Sequence, residues 1–360
     1  MRKGIIARLT AIMIAVISLI SFAALFDYAE NLDATTTNDI TFNLNGGSID
    51  GQISFVVTAS ELNVTGLPDA SGFTIPSGMD AFVVWSEHPT DYSKLYNAGD
   101  SVPSNVTTLY AVWGKYTATS GYTILTGTGC HIVNEAANLS VSVSGNAPLI
   151  VFNNSILNSL SFSNNAMATI LLQNKNEISE ILVGSSTLRF SSASTGIVDI
   201  NSSSIWGSSN FIVDGGDLKI DDISNYGGSV ILNGGIVDVE GIVQGSSVMI
   251  NEGAVLYCNE IYASGALVIN GNVTVAGETE GMGSIEINGT FNSSSTLYTN
   301  GKLTINGNVT VAGETEGMGS IEINGTFNSS STLYTNGKLT INGNVTVAGE
   351  TEGMGSIEIN

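Results

Sequence analysis

The sequence contains few prolines, cysteines, histidines and basic residues. Its 360 residues include five prolines, two cysteines, two histidines and ten lysines plus arginines. The only thiol and imidazole side chains, those of Cys130, Cys258, His88 and His131, do not have the spacing of metal ligands, so we expect no metal site. So few basic residues cannot neutralise many phosphates, which argues against nucleic acid or an anionic membrane surface as a partner.

The two cysteines are too far apart to pair in the architecture inferred below. About seven coils separate Cys130 from Cys258, which is roughly 30 Å at the usual strand spacing and beyond disulfide reach. We predict two free thiols packed in the core. Cys130 and His131 are neighbours on a predicted strand, so their side chains point to opposite faces and cannot form a nucleophilic pair.

What the sequence does contain is glycine, acid and apolar residues. The net charge of -22 indicates solubility, and a hydrophobic fraction of 42% can form a large core. Forty-two glycines, with abundant serine, threonine and asparagine, indicate many short strands joined by tight turns. We therefore predict an all-β protein.

The first 34 residues contain an export segment. The stretch MRKGIIARLTAIMIAVISLISFAALF has a basic start followed by an uncharged apolar run. It is either a signal peptide or a retained N-terminal membrane anchor, because its length is near the lower limit for spanning a bilayer. Both alternatives place the rest of the chain outside the cytoplasm, at the cell surface or secreted, with membrane contact through this segment alone.

Residues 39–113 form a separate module. ITFNL alternates as a strand, NGG supplies a tight turn, and FVVW and TTLYAVW are further strands. In this order the segments resemble the internalin-type B-repeat, or Listeria–Bacteroides repeat, although GMDAFVVW departs from its aromatic and glycine before the tryptophan. The resemblance implies a small β-grasp-like module at 35–116, a non-catalytic spacer or contact domain of surface-exposed and secreted proteins. We expect Trp85, Trp113, Tyr96 and Tyr110 to pack in its core rather than stack on a ligand.

Internal repetition dominates the remaining residues. Residues 301–336 repeat 265–300 with two differences, and the 36-residue period contains two aligned units of 18. The same frame, apolar at its first and third positions, recurs upstream at Ile150, Ile170, Leu188, Phe211, Val230, Val248 and Leu267. Such units bury their apolar face only by stacking. Residues 117–360 are therefore predicted to form a β-solenoid, a single-stranded parallel β-helix with about 18 residues per coil and about eleven coils.

The fourth position of the frame is mostly asparagine. We expect a ladder of side-chain hydrogen bonds there, at a corner where asparagine tolerates left-handed backbone. The predicted column is Asn153, Gln173, Ser191, Asp214, Asn233, Asn251, Asn270, Asn288, Asn306, Asn324 and Asn342.

Two sets of charged residues deserve a chemical interpretation. Asp199, Lys219 and Asp238 fall on consecutive coils and are interpreted as a salt-bridge ladder, with a catalytic set as the alternative. The GETEGMG segment recurs every two coils, so its glutamates should form a column. They are Glu278, Glu280, Glu314, Glu316, Glu350 and Glu352. We interpret these as solvated turns, with calcium binding as the alternative. Sequons at Asn63, Asn105, Asn138, Asn272 and Asn308 could carry glycan.

We assign no catalytic, cofactor-binding or metal-binding residues from the sequence. The predicted function is an exported, adhesin-like surface protein whose repeat stalk mediates projection and adhesion to an unknown protein or glycan ligand. The alternative is a carbohydrate-active enzyme, a polysaccharide lyase or hydrolase, on a β-helix. The repeat is interrupted at Asn360, so we also expect further repeats or an anchor beyond it, or end-to-end self-association through an open coil.

Overall fold

The computed structural model describes residues 39–101, 105–145, 148–163, 165–205 and 209–360. The predicted export segment lies outside these residues. The regular secondary structure is nearly all strand, with one helix, and the chain forms a β-grasp-like module followed by a β-solenoid of about 13 turns with about 18 residues per coil. The predicted fold class is confirmed.

The module is a five-stranded mixed sheet with one helix. Its elements are β1 (Ile40–Asn43), β2 (Ser54–Val57), α1 (Ala59–Thr65), β3 (Ala81–Ser86), β4 (Leu95–Tyr96) and β5 (Thr108–Tyr116). The strand order is β2-β1-β5-β3-β4, with β1 and β5 parallel and the other pairs antiparallel. Parallel central strands and a helix after the first hairpin give the β-grasp arrangement.

The helix α1 was not predicted, although its start has a recognisable signal. Thr58 and Glu61 form a capping box, in which each side chain bonds the backbone N–H of the other residue. Leu62 is the buried residue of this short helix. A helix of about two turns with a single buried apolar residue leaves little periodicity for sequence reasoning to detect.

The turn predicted from NGG is confirmed. Asn45 and Gly46 both have positive φ, 47° and 95°. A Cβ atom on Gly47 would lie 2.5 Å from the Trp113 ring, so this position needs glycine for space. Trp113 and Trp85 are core residues as predicted, and their indole N–H groups donate to the carbonyls of Leu44 and Pro68. Tyr96 packs partly against this core, whereas Tyr110 is half-buried outside it.

The solenoid consists of three parallel sheets, because each coil contributes three short strands. The first sheet contains β7 (Cys130–Asn134), β9 (Leu149–Asn153), β11 (Met167–Gln173), β14 (Thr187–Phe190), β17 (Asn210–Val213), β22 (Leu267–Ile269), β25 (Ile285–Ile287), β28 (Leu303–Ile305), β31 (Ile321–Ile323), β34 (Leu339–Ile341) and β37 (Ile357–Ile359). The second contains β12 (Lys175–Ile178), β15 (Ile197–Ile200), β18 (Asp217–Ile220), β23 (Asn272–Val275), β26 (Thr290–Ser293), β29 (Asn308–Val311), β32 (Thr326–Ser329) and β35 (Asn344–Val347).

The third sheet and the strands that turn corners complete the coil. The third sheet contains β6 (Gly121–Thr126), β13 (Ile181–Val183), β16 (Ser203–Ile205), β24 (Thr279–Gly281), β27 (Leu297–Thr299), β30 (Thr315–Gly317), β33 (Leu333–Thr335) and β36 (Thr351–Gly353). Five longer strands pass from one sheet to another, namely β8 (Ala137–Ser144), β10 (Ile156–Phe162), β19 (Ile223–Leu232), β20 (Gly235–Ile250) and β21 (Ala254–Ala263). The predicted eleven coils were too few because β7 and β37 were not included.

The 18-residue period of the frame equals the number of residues between register partners on paired strands. Leu267, Ile285 and Leu303 are successive register partners in the first sheet, 18 residues apart. Leu303 and Ile305 are fully buried, while Thr304 between them faces outward. The second sheet adds Phe291 and Phe327 to the same continuous core. The inward–outward alternation predicted for the frame is therefore confirmed.

Glycine follows the asparagine at the corner because successive coils nearly touch there. A Cβ on Gly307 would lie 2.0 Å from the carbonyl oxygen of Gly289, its equivalent in the preceding coil. The close approach accompanies hydrogen bonds from the N–H groups of Gly307 and Asn308 to that coil. A residue with a side chain would push the coils apart.

The asparagine ladder is confirmed over most of its predicted length. Asn306 Nδ2 donates to Asn288 Oδ1 at 2.7 Å, and Asn306 Oδ1 accepts from Asn324 at 2.8 Å. The run extends from Asp214 to Asn360 with donor–acceptor distances of 2.6 to 3.1 Å, and a separate run joins Asn134, Asn153 and Asn174. Each amide inside a run both donates and accepts, so the ladder ties neighbouring coils together.

Two predicted members of the ladder were wrong. In the coil of Gln173 the ladder bond is made by Asn174, and Ser191 is buried with its hydroxyl accepting from the Ala193 N–H. The expected left-handed backbone was also wrong, since no residue of the predicted column has a positive φ and only Asn174, which was not in that column, does so among the ladder asparagines. The asparagines are favoured by their amide pairing, and not by backbone conformation.

The module and the solenoid share strand β5. Thr108 to Tyr110 pair with β1 in the module, while Gly114 to Tyr116 pair with β7 of the first coil. Beyond this junction, module residues cover the outer side of the first sheet. The joint apolar cluster consists of Val84, Tyr92, Leu95, Val112, Cys130, Ile132, Leu149, Val151, Leu171 and Ala193. Consequently the first strands are apolar on both faces, as in LIVF at 149–152.

Both cysteines are free and buried. Cys258 lies in the solenoid core, as predicted, and burial raises its thiol pKa to about 12. Cys130 instead lies in the cluster between module and coil, where burial also raises its thiol pKa. Cys130 was misplaced because the docking of the module was not foreseen.

We expect the ladder to contribute measurably to stability. Replacing Asn306 with alanine removes two amide hydrogen bonds and should destabilise the chain by about 1–2 kcal/mol. Asn308 is exposed in the same coil and makes no side-chain hydrogen bond within the described residues, so Asn308→Ala is the control. Denaturant unfolding should separate the two variants; equal midpoints would contradict a stabilising role.

Buried threonines give a second prediction. Thr279 and Thr315 are fully buried, and within the described part of the chain their hydroxyl groups have no hydrogen-bond partner. Valine is nearly isosteric and removes an unsatisfied polar group, so the double valine variant should be more stable, by about 1 kcal/mol per site.

The repeat supplies the matched control for this change. The hydroxyl groups of Thr299 and Thr335 donate to backbone carbonyls at 2.7 Å, so valine there should lower stability. The two double variants should shift the thermal unfolding midpoint in opposite directions. A decrease for both would show that the unpartnered hydroxyl groups are not destabilising.

Candidate binding surfaces

The histidine and cysteine of the first coil are not a reactive pair. His131 is in register with Ile150, whose side chain is in the solenoid core, whereas Cys130 is in register with Leu149 in the junction cluster. The two side chains thus lie on opposite sides of the sheet, as predicted. Burial keeps the Cys130 thiol protonated by raising its pKa, and a protonated thiol is a poor nucleophile.

His131 is held as a neutral group. Burial is the main cause of its lowered pKa, and the nearby Lys115 lowers it further, although a backbone hydrogen bond with Thr126 acts in the opposite direction. Its Nε2 atom is buried and has no partner among the described residues. Protonation would place a charge in an apolar setting, so His131 should act on stability rather than on chemistry.

The lowered pKa predicts a pH dependence with a definite sign. The folded pKa lies below the unfolded value near 6.5, so the unfolded chain binds the proton more tightly. The stabilising contribution of neutral His131 is present above that value and is lost as pH falls below it. His131→Leu should therefore reduce the loss of stability between neutral and mildly acidic pH.

The exposed His88 provides the control for this experiment. The change in the pH dependence of the free energy of unfolding should be larger for His131→Leu than for His88→Leu, because only the His131 imidazole has a buried nitrogen without a partner among the described residues. Parallel stability–pH curves for the parent and His131→Leu would contradict the assignment of a neutral buried imidazole.

A charged groove lies on the outer side of the second sheet. The register places Glu177, Asp199, Lys219 and Asp238 side by side on consecutive coils, which confirms the predicted alignment. The ion pairs differ from the predicted ladder. Lys219 Nζ contacts Glu240 Oε1 at 2.9 Å, and Asp199 is 3.7 Å from Lys175 Nζ. Glu177, Asp199, Lys219, Asp221 and Glu240 surround a depression of about 220 Å³.

The ion pairs within the charged groove limit the chemistry that its side chains can perform. The hydrogen bond and charge of Glu240 raise the pKa of Lys219, with smaller contributions from Asp199 and Asp238. A protonated lysine cannot accept a proton from a substrate. Two of the carboxylates, Asp199 and Glu240, each have a lysine partner, so the geometry favours a charged surface over a proton-transfer site.

The third sheet presents a different surface, which we call the acidic tyrosine column. Tyrosine and glutamate alternate along the axis at positions that are paired from coil to coil. The order is Tyr262, Glu280, Tyr298, Glu316, Tyr334 and Glu352. The GETEGMG segments are therefore partly strand, which corrects their interpretation as turns. The alternation arises because the 36-residue repeat contains two unlike coils, one with TEG and one with LYT.

The tyrosine rings are held along their strands. Tyr298 Oη donates to Asn300 Oδ1 at 2.6 Å, and Asn300 Nδ2 lies 2.9 Å from Met282 Sδ of the preceding coil. The next repeat has the same contacts, with Tyr334 donating to Asn336 at 2.5 Å and Asn336 lying 2.8 Å from Met318 Sδ. Both tyrosines remain half-buried, so part of each ring is accessible.

Within the described ranges, no group of three or more His, Cys, Asp or Glu residues is arranged to hold a metal ion. Glu278, Glu280 and their equivalents belong to these described ranges. None of the helices in those ranges is long and apolar enough to cross a membrane.

Comparison with protein-family models, curated proteins and solved structures gave no match. The resemblance of residues 39–113 to the B-repeat therefore stays a prediction based on the order of its segments. Sequence reasoning had identified the acids of the third sheet but had not placed the tyrosines between them. The signal was available, since LYT and TEG occupy equivalent positions 18 residues apart.

Proposed function

We propose that this chain is an exported, cell-surface protein of the adhesin-like kind, in which the solenoid is a non-catalytic stalk for projection and adhesion. The observation that supports this most strongly is the stacking of successive coils of about 18 residues through parallel strand pairing. About 13 turns at about 4.8 Å each give a rod about 60 Å long. Such a rod offers regularly spaced side chains over a large area.

The junction supports the same proposal. Because β5 is paired on both sides and an apolar cluster covers the first coils, the module has a fixed position at the start of the rod. A small module rigidly joined to a repeat rod suits presentation of two contact surfaces by one molecule. The segment order that resembles a B-repeat is in keeping with this arrangement.

A carbohydrate-active enzyme is the second candidate. The charged groove favours it, because carboxylates and a lysine converge on a shallow depression. The ion pairs of Lys219 and Asp199 weigh against it, since they occupy the groups that would transfer protons.

Adhesion and catalysis give different results in two assays. Protease treatment of intact producing cells should degrade the chain, and deletion of its gene should reduce attachment to surfaces or to other cells. The purified chain should release no reducing ends from a panel of acidic and neutral polysaccharides. Release that disappears in Asp199→Asn and Lys219→Met, with folding retained, would establish the enzyme instead.

A further inference from the structure

The acidic tyrosine column has a charge that nothing nearby balances. Six carboxylates project from or beside its strands, those of Glu278, Glu280, Glu314, Glu316, Glu350 and Glu352. After Lys219 the sequence has only two basic residues, Lys302 and Lys338. Both form ion pairs with carboxylates of the first sheet, Glu322 and Glu358. From Tyr262 to Glu352 the third sheet is thus an anionic face whose glutamates have no ion-pair partner among the described residues.

The negative charge of this face attracts cations, and its tyrosine rings are also suited to a cationic ligand. A lysine or arginine cation is attracted to the face of a tyrosine ring, and carboxylates in the coils on either side strengthen that attraction. The Asn300 and Met282 contacts fix the position of Tyr298, so little side-chain freedom is lost on binding. Tyr334 has the equivalent contacts.

We propose that the acidic tyrosine column binds an extended, lysine- or arginine-rich polypeptide segment of a partner protein. This inference rests on the proposed adhesive function and specifies the chemistry of its ligand. One basic side chain lies over each tyrosine ring, between the glutamates of the coils above and below. The partner is a protein with basic side chains, and not a neutral glycan, because an uncharged sugar would leave the negative charge of the face unbalanced.

The spacing of the column specifies the spacing in the partner. Successive tyrosines are two coils apart, which is about 10 Å at the strand spacing. In a polyproline II conformation, which has three residues per turn, every third side chain lies on the same face and three residues span about 9 Å. A segment with a basic residue at every third position therefore matches successive tyrosines. Each added repeat provides another equivalent binding position, which increases avidity.

The test is a comparison of synthetic peptides binding to the full chain, measured by calorimetry. One peptide has lysine at every third position among glycine and serine; the other has the same composition with its lysines clustered at one end. The spaced peptide should bind about tenfold more tightly, and its affinity should fall as salt increases. Equal affinities would overturn the predicted spacing and the proposal with it.

Two charge-matched variants distinguish this surface from general attraction to an acidic protein. Glu280→Gln with Glu316→Gln removes two of the six negative charges on the third sheet, while Glu286→Gln with Glu322→Gln makes the same charge change on the first sheet. The first variant should weaken peptide binding about tenfold and the second much less. Equal losses would show a non-specific interaction and overturn the proposal.

The tyrosines are tested with two substitutions. Tyr298→Ser with Tyr334→Ser should weaken binding about tenfold, whereas phenylalanine at both positions should retain most of it because the ring is kept. Folding of each variant is checked by thermal unfolding. If both phenylalanine and serine variants bind like the parent chain, the rings play no part and the proposal is wrong.

Binding to a panel of neutral oligosaccharides tests the competing possibility that this face binds glycan. Binding of a sugar that is lost with serine at the tyrosines, but unchanged by glutamine at Glu280 and Glu316, would identify a glycan face and overturn the proposal. The cell assay separates this inference from the proposed function. Attachment that persists in the Glu280→Gln, Glu316→Gln strain would refute the inference alone, while a parent strain that shows no attachment would refute the adhesive function.

Discussion

The backbone hydrogen bonds between successive coils are the interaction on which the rest of the structure depends. They hold each strand at a fixed distance from its equivalents in the coils before and after it. Where the chain turns the corner after the asparagine, this distance leaves no room for a Cβ, as at Gly307 against Gly289. Register is then fixed for every other position, so inward residues form one core and outward residues form continuous columns.

The junction between module and solenoid extends the same principle. Strand β5 belongs to the β-grasp sheet at one end and to the first sheet of the coil at the other. Its dual pairing brings Val84 and Val112 of the module onto Leu149 and Val151, so the first coils are buried on both sides. The module therefore covers the apolar outer side of those strands.

Duplication of a two-coil unit has a consequence for the surface. A single repeated coil would place like residues on one another along the axis, and like charges at cross-strand positions repel. In the 36-residue unit, glutamate alternates with tyrosine in the third sheet, and Lys302 comes to lie beside Glu322 in the first. The same register that stabilises the core thus produces an ion-paired column on one side and an acidic tyrosine column on another.

The sequence by itself determined the fold class, the 18-residue coil, the inward residues and most of the asparagine ladder, because local alternation and exact repetition record which side chains face the core. It also determined that Asp199 and Lys219 are neighbours. Only the tertiary structure decided that each coil has three strands, that Cys130 lies under the module, and that Lys219 pairs with Glu240. These depend on how strands far apart in the chain come together and on where long side chains reach, and no periodicity in one segment encodes either.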